Sequence, residues 1–335
     1  MPIRDYTGLG GRIAPLRAAR EAGDDYGATA QPDWRTIDWR AHLHQQQLRG
    51  RSVNYVDIGE QNTGAAPVVF IHGLGGCWQN WLENIPRVAE ERRVIAPDLP
   101  GFSYSEMPTE KITISNYART VVELLDAIGI DEPVALVGNS MGGFVSAEIG
   151  IRYPDRCQKI ALVSAAGISI THLRRRPVMT TARMTAAFTN IVLARSESLV
   201  KRPVTRHAVL GYVLRHPTRI KSDLAFQIMQ GSKSPGFLPA LDALTDYDFR
   251  DRLGEVKCPT LVVWGEEDNL VPVEDADEFE RLIPGTRKVI LQDTGHVPMI
   301  ERPQTFNDLL VEFLHEEPPG EAPDKVAATA ARPGR

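Results

Sequence analysis

The segment VALVGNSMGGF, residues 134–144, carries the reading of this chain. Four β-forming or small residues run into Gly138. A serine follows at 140, and a second glycine stands at 142. A strand that stops on a serine with glycine two residues to either side predicts a sharp strand-to-helix turn. Such a turn strains the serine backbone and exposes its hydroxyl, and side chains at 138 and 142 would collide. The helix that starts there directs its free N–H groups at whatever the serine attacks. A glycine-rich βα turn without chemistry would read the same locally. The decision therefore rests on whether the chain supplies a base, an acid and oxyanion donors in a matching order.

The surrounding pattern alternates strand and helix. SVNYVDIG (52–59) reads as a half-exposed strand, and PVVFIHG (67–73) as a buried strand of a parallel sheet. Residues 78–89 read as a helix and RVIAPDLPG (93–101) as the next strand. ISNYARTVVELLDAIG (114–129) reads as a helix with a Ser or Asn cap and Gly129 as its stop. VALVG, a helix over 141–152 and the strand KIALVSA (159–165) follow. Residues 168–245 then show helical periodicity only. The alternation resumes with TLVVWG (260–265), VEDADEFERLI (273–283), RKVILQ (287–292) and TFNDLLVEFL (305–314). An α/β sheet interrupted once by a helical block predicts a core over 51–167 and 246–315, carrying a helical cap over 168–245. Residues 1–50 are left as an N-terminal extension. The Pro-, Ala- and charge-rich tail 316–335 reads as disordered.

Composition narrows the function. With 335 residues, 42% hydrophobic content and 24% charged residues, the chain reads as a soluble globular protein. Its net charge of −5 argues against a nucleic-acid partner. No apolar run approaches a membrane span, and the basic N-terminus lacks the apolar region of a signal peptide. Cys77, Cys157 and Cys258 form no metal or disulfide spacing, which fits a reducing cytoplasm. Residues 168–245 hold twelve Lys or Arg against Glu197, Asp223 and Asp242, a local excess of +9, with Arg174, Arg175 and Arg176 at its sharpest point. These cations either solvate the helices or form a basic rim that attracts anionic substrates or rests weakly on an anionic surface.

Ser140 needs a base. His296 stands on a loop just after an apolar strand, the place where α/β sheets carry their sites. His42 and His44 lie in polar sequence, His172, His207 and His216 in the cap, and His315 toward the tail. The base needs an acid to hold its tautomer. Asp268 follows TLVVWG, with Glu266 and Glu267 as competitors. The turn after Asp268 suits a short carboxylate. The order Ser140, Asp268, His296 is one of the three known for such triads. The oxyanion donors are expected to be the backbone N–H groups of Met141 and Leu74, with His72 bracing the loop that holds Leu74. Gly73, Asn139 and Val297 flank these groups and are assigned to substrate binding. Cys77 has no second base and reads as a packing residue.

Five segments, HGLGGCWQNW (72–81), PDLPGFSYSE (97–106), VGNSMGGFVSAE (137–148), LVVWGEEDNLVP (261–272) and GHVPMIERP (295–303), together resemble the α/β-hydrolase superfamily. The resemblance implies a mostly parallel eight-stranded sheet flanked by helices, with a cap inserted after the sixth strand. Ser140 is not the Asp of haloalkane dehalogenases and epoxide hydrolases. Met141 is not the Trp of proline iminopeptidases. GNSMGG looks like the carbon–carbon hydrolases of aromatic ring-fission products. Those enzymes carry Trp after the histidine and Gly-Pro in the oxyanion loop, where this chain has Val297 and HGLGG. The expected activity is hydrolysis of a small to medium carboxylic ester through an acyl-enzyme, with carbon–carbon hydrolysis of dienoates as the alternative. A cofactor-free perhydrolase, a lyase or a non-catalytic receptor are the remaining readings. No metal or organic cofactor is implied.

Overall fold

The computed structural model describes residues 13–169 and 200–316. Eight strands form one sheet: β1 Leu43–Leu48, β2 Arg51–Ile58, β3 Val68–Ile71, β4 Val94–Pro97, β5 Val134–Asn139, β6 Cys157–Val163, β7 Thr260–Gly265 and β8 Arg287–Leu291. Their spatial order is β1-β2-β4-β3-β5-β6-β7-β8. β2 runs antiparallel to both neighbours and the other pairs are parallel. The central strands β3 and β5 are wholly buried, because helices cover both faces of the sheet.

β1 lies within residues 1–50, where the sequence predicts only an extension. LHQQQL carries too little apolar alternation to announce a strand. It forms because Arg49 and Gly50, both at positive φ, close a two-residue hairpin onto β2. With β1 on one side and β4 on the other, six of the eight β2 residues are buried, against the half-exposed strand expected. Its polar residues survive burial because they are paired: Asn54 donates to Asp98 at 2.8 Å and Asp57 accepts from Arg93 at 2.6 Å.

The expected helix over 78–89 breaks into a 3₁₀ turn, Trp78–Trp81, and a short α1, Ile85–Ala89, with Pro86 in its first turn. α2, Ile114–Ala127, is capped by Thr113 rather than by Ser115 or Asn116, and Gly129 ends it at φ +73°. α3, Met141–Arg152, starts directly after Ser140. Between β6 and β7 the described residues hold α4 Pro203–Leu210, α5 Ser222–Gln227 and α6 Phe237–Asp246, and no strand. Then come α7 Glu274–Leu282, α8 Pro298–Glu301 and α9 Pro303–His315. Among the described residues no helix is long and apolar enough to cross a membrane.

Part of the basic excess of the insertion is structural. Arg206 is buried and donates to the carbonyls of Val200 and Lys201. Arg219 donates to the carbonyls of Ala19 and Ala22, and Lys221 to Thr29 Oγ1. These cations tie the insertion to itself and to the N-terminal segment. Arg174, Arg175 and Arg176 lie outside the described residues.

The two glycines around Ser140 are required by packing. A Cβ on Gly138 would lie 2.2 Å from the carbonyl oxygen of Gly142, and one on Gly142 would lie 2.0 Å from that of Ile71 in β3. The second clash is with the neighbouring strand, not with residue 138 as expected from sequence. Gly142→Ala must push α3 off the sheet. It is expected to cost more than about 4 kcal/mol or to abolish folding, read as loss of a cooperative melt. A stable, active Gly142→Ala protein would refute this packing.

Candidate active site

Ser140 occupies the apex between β5 and α3 at φ +53°, ψ −116°, a region that non-glycine residues avoid. Neighbouring backbone pays for the strain. Ser140 N–H donates to Val163 O at 2.9 Å, and Ser140 O accepts from Ala166 N–H at 2.9 Å. The apex is thereby bolted to β6 and the turn that follows it.

His296 and Asp268 come from the loops after β8 and β7. His296 Nδ1 lies 2.7 Å from Asp268 Oδ2, and the side chains are 6% and 0% exposed. A carboxylate accepts, so the ring proton sits on Nδ1 and Nε2 is left with its lone pair free to accept. The other carboxylate oxygen, Asp268 Oδ1, accepts the N–H groups of Leu270 (2.8 Å) and Val271 (2.9 Å). The Asn-Leu-Val turn thus fixes the Asp268 carboxylate. Glu267 instead accepts from Thr294 N–H at 3.0 Å, and burial raises its pKa. His216 pairs with Asp293 at 2.8 Å and His315 with Glu91 at 2.7 Å. His172 lies outside the described residues.

The loop after β3 abuts the serine. A Cβ on Gly73 would lie 3.1 Å from Ser140 Cβ. His72 is wholly buried, with Nδ1 donating to Gly73 O at 2.8 Å and Nε2 accepting from Leu99 N–H at 2.9 Å. Burial lowers its pKa to about 4, so the ring stays neutral and braces the loop. Neither Leu74 N–H nor Met141 N–H has an acceptor among the described residues.

Ser140, His296, Asn139, Gly73, Leu74 and Val297 line one cavity of about 150 Å³. Met141 is buried beneath it. Asn139 Nδ2 donates to Val163 O (3.0 Å) and His296 O (3.2 Å), so its amide also ties the base loop to the sheet. The remaining walls are mainly apolar, with Leu210, Val213 and Leu214 from the insertion and Leu270 and Val271 from the acid turn. Among the described residues no charged side chain lines the cavity.

Residues 66–303 match the family model described as the alpha/beta hydrolase fold. The chain belongs to the α/β-hydrolase fold family. Its relatives within that family differ in the bond their names specify. It is 30% identical over 291 residues to 2-hydroxy-6-oxo-6-phenylhexa-2,4-dienoate hydrolase of Comamonas testosteroni, covering 82% of this chain and 96% of that one. It is also 30% identical over 273 residues to a dihydrolipoyllysine-residue acetyltransferase component of an acetoin cleaving system from Pseudomonas putida, covering 81% and 68%. Among solved structures it is similar to a membrane phospholipase A described as a bacterial virulence factor. The TM-score there is 0.65 at 26% identity, covering 84% of this chain and 88% of that one. Similarity at this level assigns the fold family and leaves the scissile bond to the site.

Within this α/β-hydrolase site Cys77 is the nearest competing nucleophile by sequence. It is wholly buried, and burial pushes its thiol pKa upward, away from thiolate. Its Sγ approaches the Gln227 carbonyl at 3.9 Å and accepts from the Asn80 backbone as the cap of the 3₁₀ turn. Cys77→Ala is expected to keep turnover within about fivefold, and iodoacetamide to leave the native protein active. Loss of turnover in Cys77→Ala, with an unchanged melt, would give Cys77 a role in the reaction.

Sequence reasoning missed the groups behind His296. His296 N–H donates to Val213 O at 2.9 Å, and Glu301 holds the residues on either side. The motif GHVPMIERP contained Glu301, but a buried carboxylate in a helical register gives no local sign that its partners are backbone N–H groups.

Proposed function

We propose that this α/β-fold hydrolase cleaves small to medium esters of neutral, apolar carboxylic acids through an acyl-enzyme. Ser140 Oγ attacks the ester carbonyl while His296 Nε2 takes its proton. The N–H groups of Leu74 and Met141 receive the oxyanion. His296 then protonates the departing alkoxide, and water repeats the sequence in reverse on the acyl-Ser140 ester. Asp268 holds the ring tautomer and balances the imidazolium. The 2.7 Å His296–Asp268 bond, at the wall of the cavity that Ser140 lines, carries this reading.

The neutral lining favours esters over dienoates. A substrate carboxylate entering the described wall loses hydration without gaining a charged partner, which costs several kcal/mol. A second reading, hydrolysis of a carbon–carbon bond in a ring-fission dienoate, is favoured by the named activity of the Comamonas relative. Side-by-side assay of p-nitrophenyl butyrate and a ring-fission dienoate separates the two. The ester is expected to show the higher kcat/KM, by roughly 100-fold or more. Preferential cleavage of the dienoate would replace the ester reading with the second one.

A further inference from the structure

The loop that carries His296 is held from behind by a buried carboxylate. Glu301 ends α8 and is wholly buried. Its Oε2 accepts the N–H groups of Arg215 (2.7 Å) and Gly295 (3.0 Å) and the phenol of Tyr26. Its Oε1 accepts Val297 N–H at 3.2 Å. All three backbone partners are donors, and the Tyr26 oxygen is itself an acceptor for His216 N–H at 2.7 Å, so its proton is free for Glu301. Burial raises the pKa of this carboxyl, and its four donors act against that by favouring the ionised form.

The backbone around the base is therefore fully committed. Residues 295 and 297 are pinned to Glu301. His296 N–H goes to Val213 O and His296 O takes Asn139 Nδ2. Two of these anchors, Val213 and Arg215, belong to the insertion. Tyr26 belongs to the N-terminal segment, where Gly27 N–H also donates to Glu301 O at 2.7 Å. One phenol thus joins three parts of the chain at a point one residue removed from the base.

We propose that Tyr26 is a positioning residue for the reaction. Through Glu301 it sets the backbone of His296, and so the angle at which Nε2 meets Ser140 Oγ, while it holds the insertion at Arg215 and His216. Removing the phenol oxygen takes one donor from a buried anion and leaves His216 N–H without its acceptor. Tyr26 does not line the cavity, so substrate affinity is left alone. The N-terminal segment is on this account part of the active unit. The kinetic side of the proposal rests on the triad reading above, and the geometric side does not.

The test compares full-length wild type, Tyr26→Phe and Lys221→Ala. Lys221 ties the same N-terminal segment through Thr29, away from the base loop. Two readouts are taken: steady-state hydrolysis of p-nitrophenyl butyrate, and the proton NMR resonance of His296 Nδ1–H. Tyr26→Phe is expected to lower kcat about tenfold with KM within about twofold, because a slightly misplaced base slows chemistry without weakening binding. Its Nδ1–H resonance should shift or broaden. Lys221→Ala should match wild type in both. Unchanged kcat and resonance in folded Tyr26→Phe overturn the proposal, and so does an equal loss in Lys221→Ala. Should Tyr26→Phe fail to fold, Glu301→Gln is measured in its place. It keeps the size but turns an amide N–H toward a donor, so it should move both readouts in the same direction, and unchanged readouts overturn the proposal equally. A shifted resonance in a protein whose wild type neither hydrolyses esters nor labels at Ser140 would leave Tyr26 as the positioning group and remove the ester reading instead.

Discussion

Ser140→Ala is expected to lower kcat for p-nitrophenyl butyrate by at least about 10³-fold, toward 10⁶, while the thermal melt stays within a few degrees of wild type. The separation of the two effects follows from the apex geometry. Alanine keeps the Cβ, so the strain at φ +53° is neither added to nor released. The bonds that hold the apex use the Ser140 backbone, to Val163 and Ala166, and these survive the substitution. Only the nucleophile is lost. The fluorophosphonate label that wild type is expected to take on the peptide containing residue 140 should disappear with it. Unchanged hydrolysis by the purified variant, or a label on another peptide, would remove Ser140 from the proposed mechanism.

Asp268→Asn is expected to cost about 10⁴-fold in kcat. The direction is set by the turn that follows it. Leu270 and Val271 both aim N–H groups at Asp268 Oδ1, so an asparagine must keep its carbonyl oxygen there. Its amide nitrogen is then turned toward His296 Nδ1, where it donates. The ring proton is driven to Nε2, and the base arrives already protonated on the nitrogen that must accept from Ser140. Glu267→Gln should change kcat by only about threefold, since Glu267 meets Thr294 rather than the ring. The reverse ranking of the two variants would make Glu267 the acid. The measurement is kcat/KM and kcat at saturating ester for both proteins, with intact melts as the control.

Much of this was written locally in the chain. The strand–Ser–helix apex, the His296 loop after RKVILQ and the Asp268 turn after TLVVWG each announce themselves within about a dozen residues. Period, glycine placement and turn chemistry are local properties. The turn that holds the Asp268 carboxylate was also legible, because a short carboxylate before Asn-Leu-Val can reach the N–H groups of its own turn. β1 was not legible. Three consecutive glutamines carry no alternation, and the strand exists because a neighbouring edge offers it a ladder. The apolar period over 78–89 predicts a longer helix than forms, because Pro86 and the 3₁₀ turn before it compete with that period.

By itself the sequence determined the order of the elements, the sheet with its helical insertion, and the identities of Ser140, His296 and Asp268 as a candidate set. Each follows from side-chain periodicity or from a turn that a few adjacent residues specify. Tertiary structure alone decided three other things. It decided that Gly142 is demanded by Ile71 of a neighbouring strand rather than by Gly138. It decided where described cations of the insertion go: Arg206 and Arg219 turn to carbonyls and Lys221 to Thr29, and no charged side chain lines the described cavity wall. And it decided that Tyr26, 270 positions before His296 in the chain, stands behind the base through Glu301. A buried ion and its donors are matched by free energy in three dimensions, where an unpaired partner costs more than a paired one gains. No period or spacing along the chain encodes which distant group supplies the missing hydrogen bond.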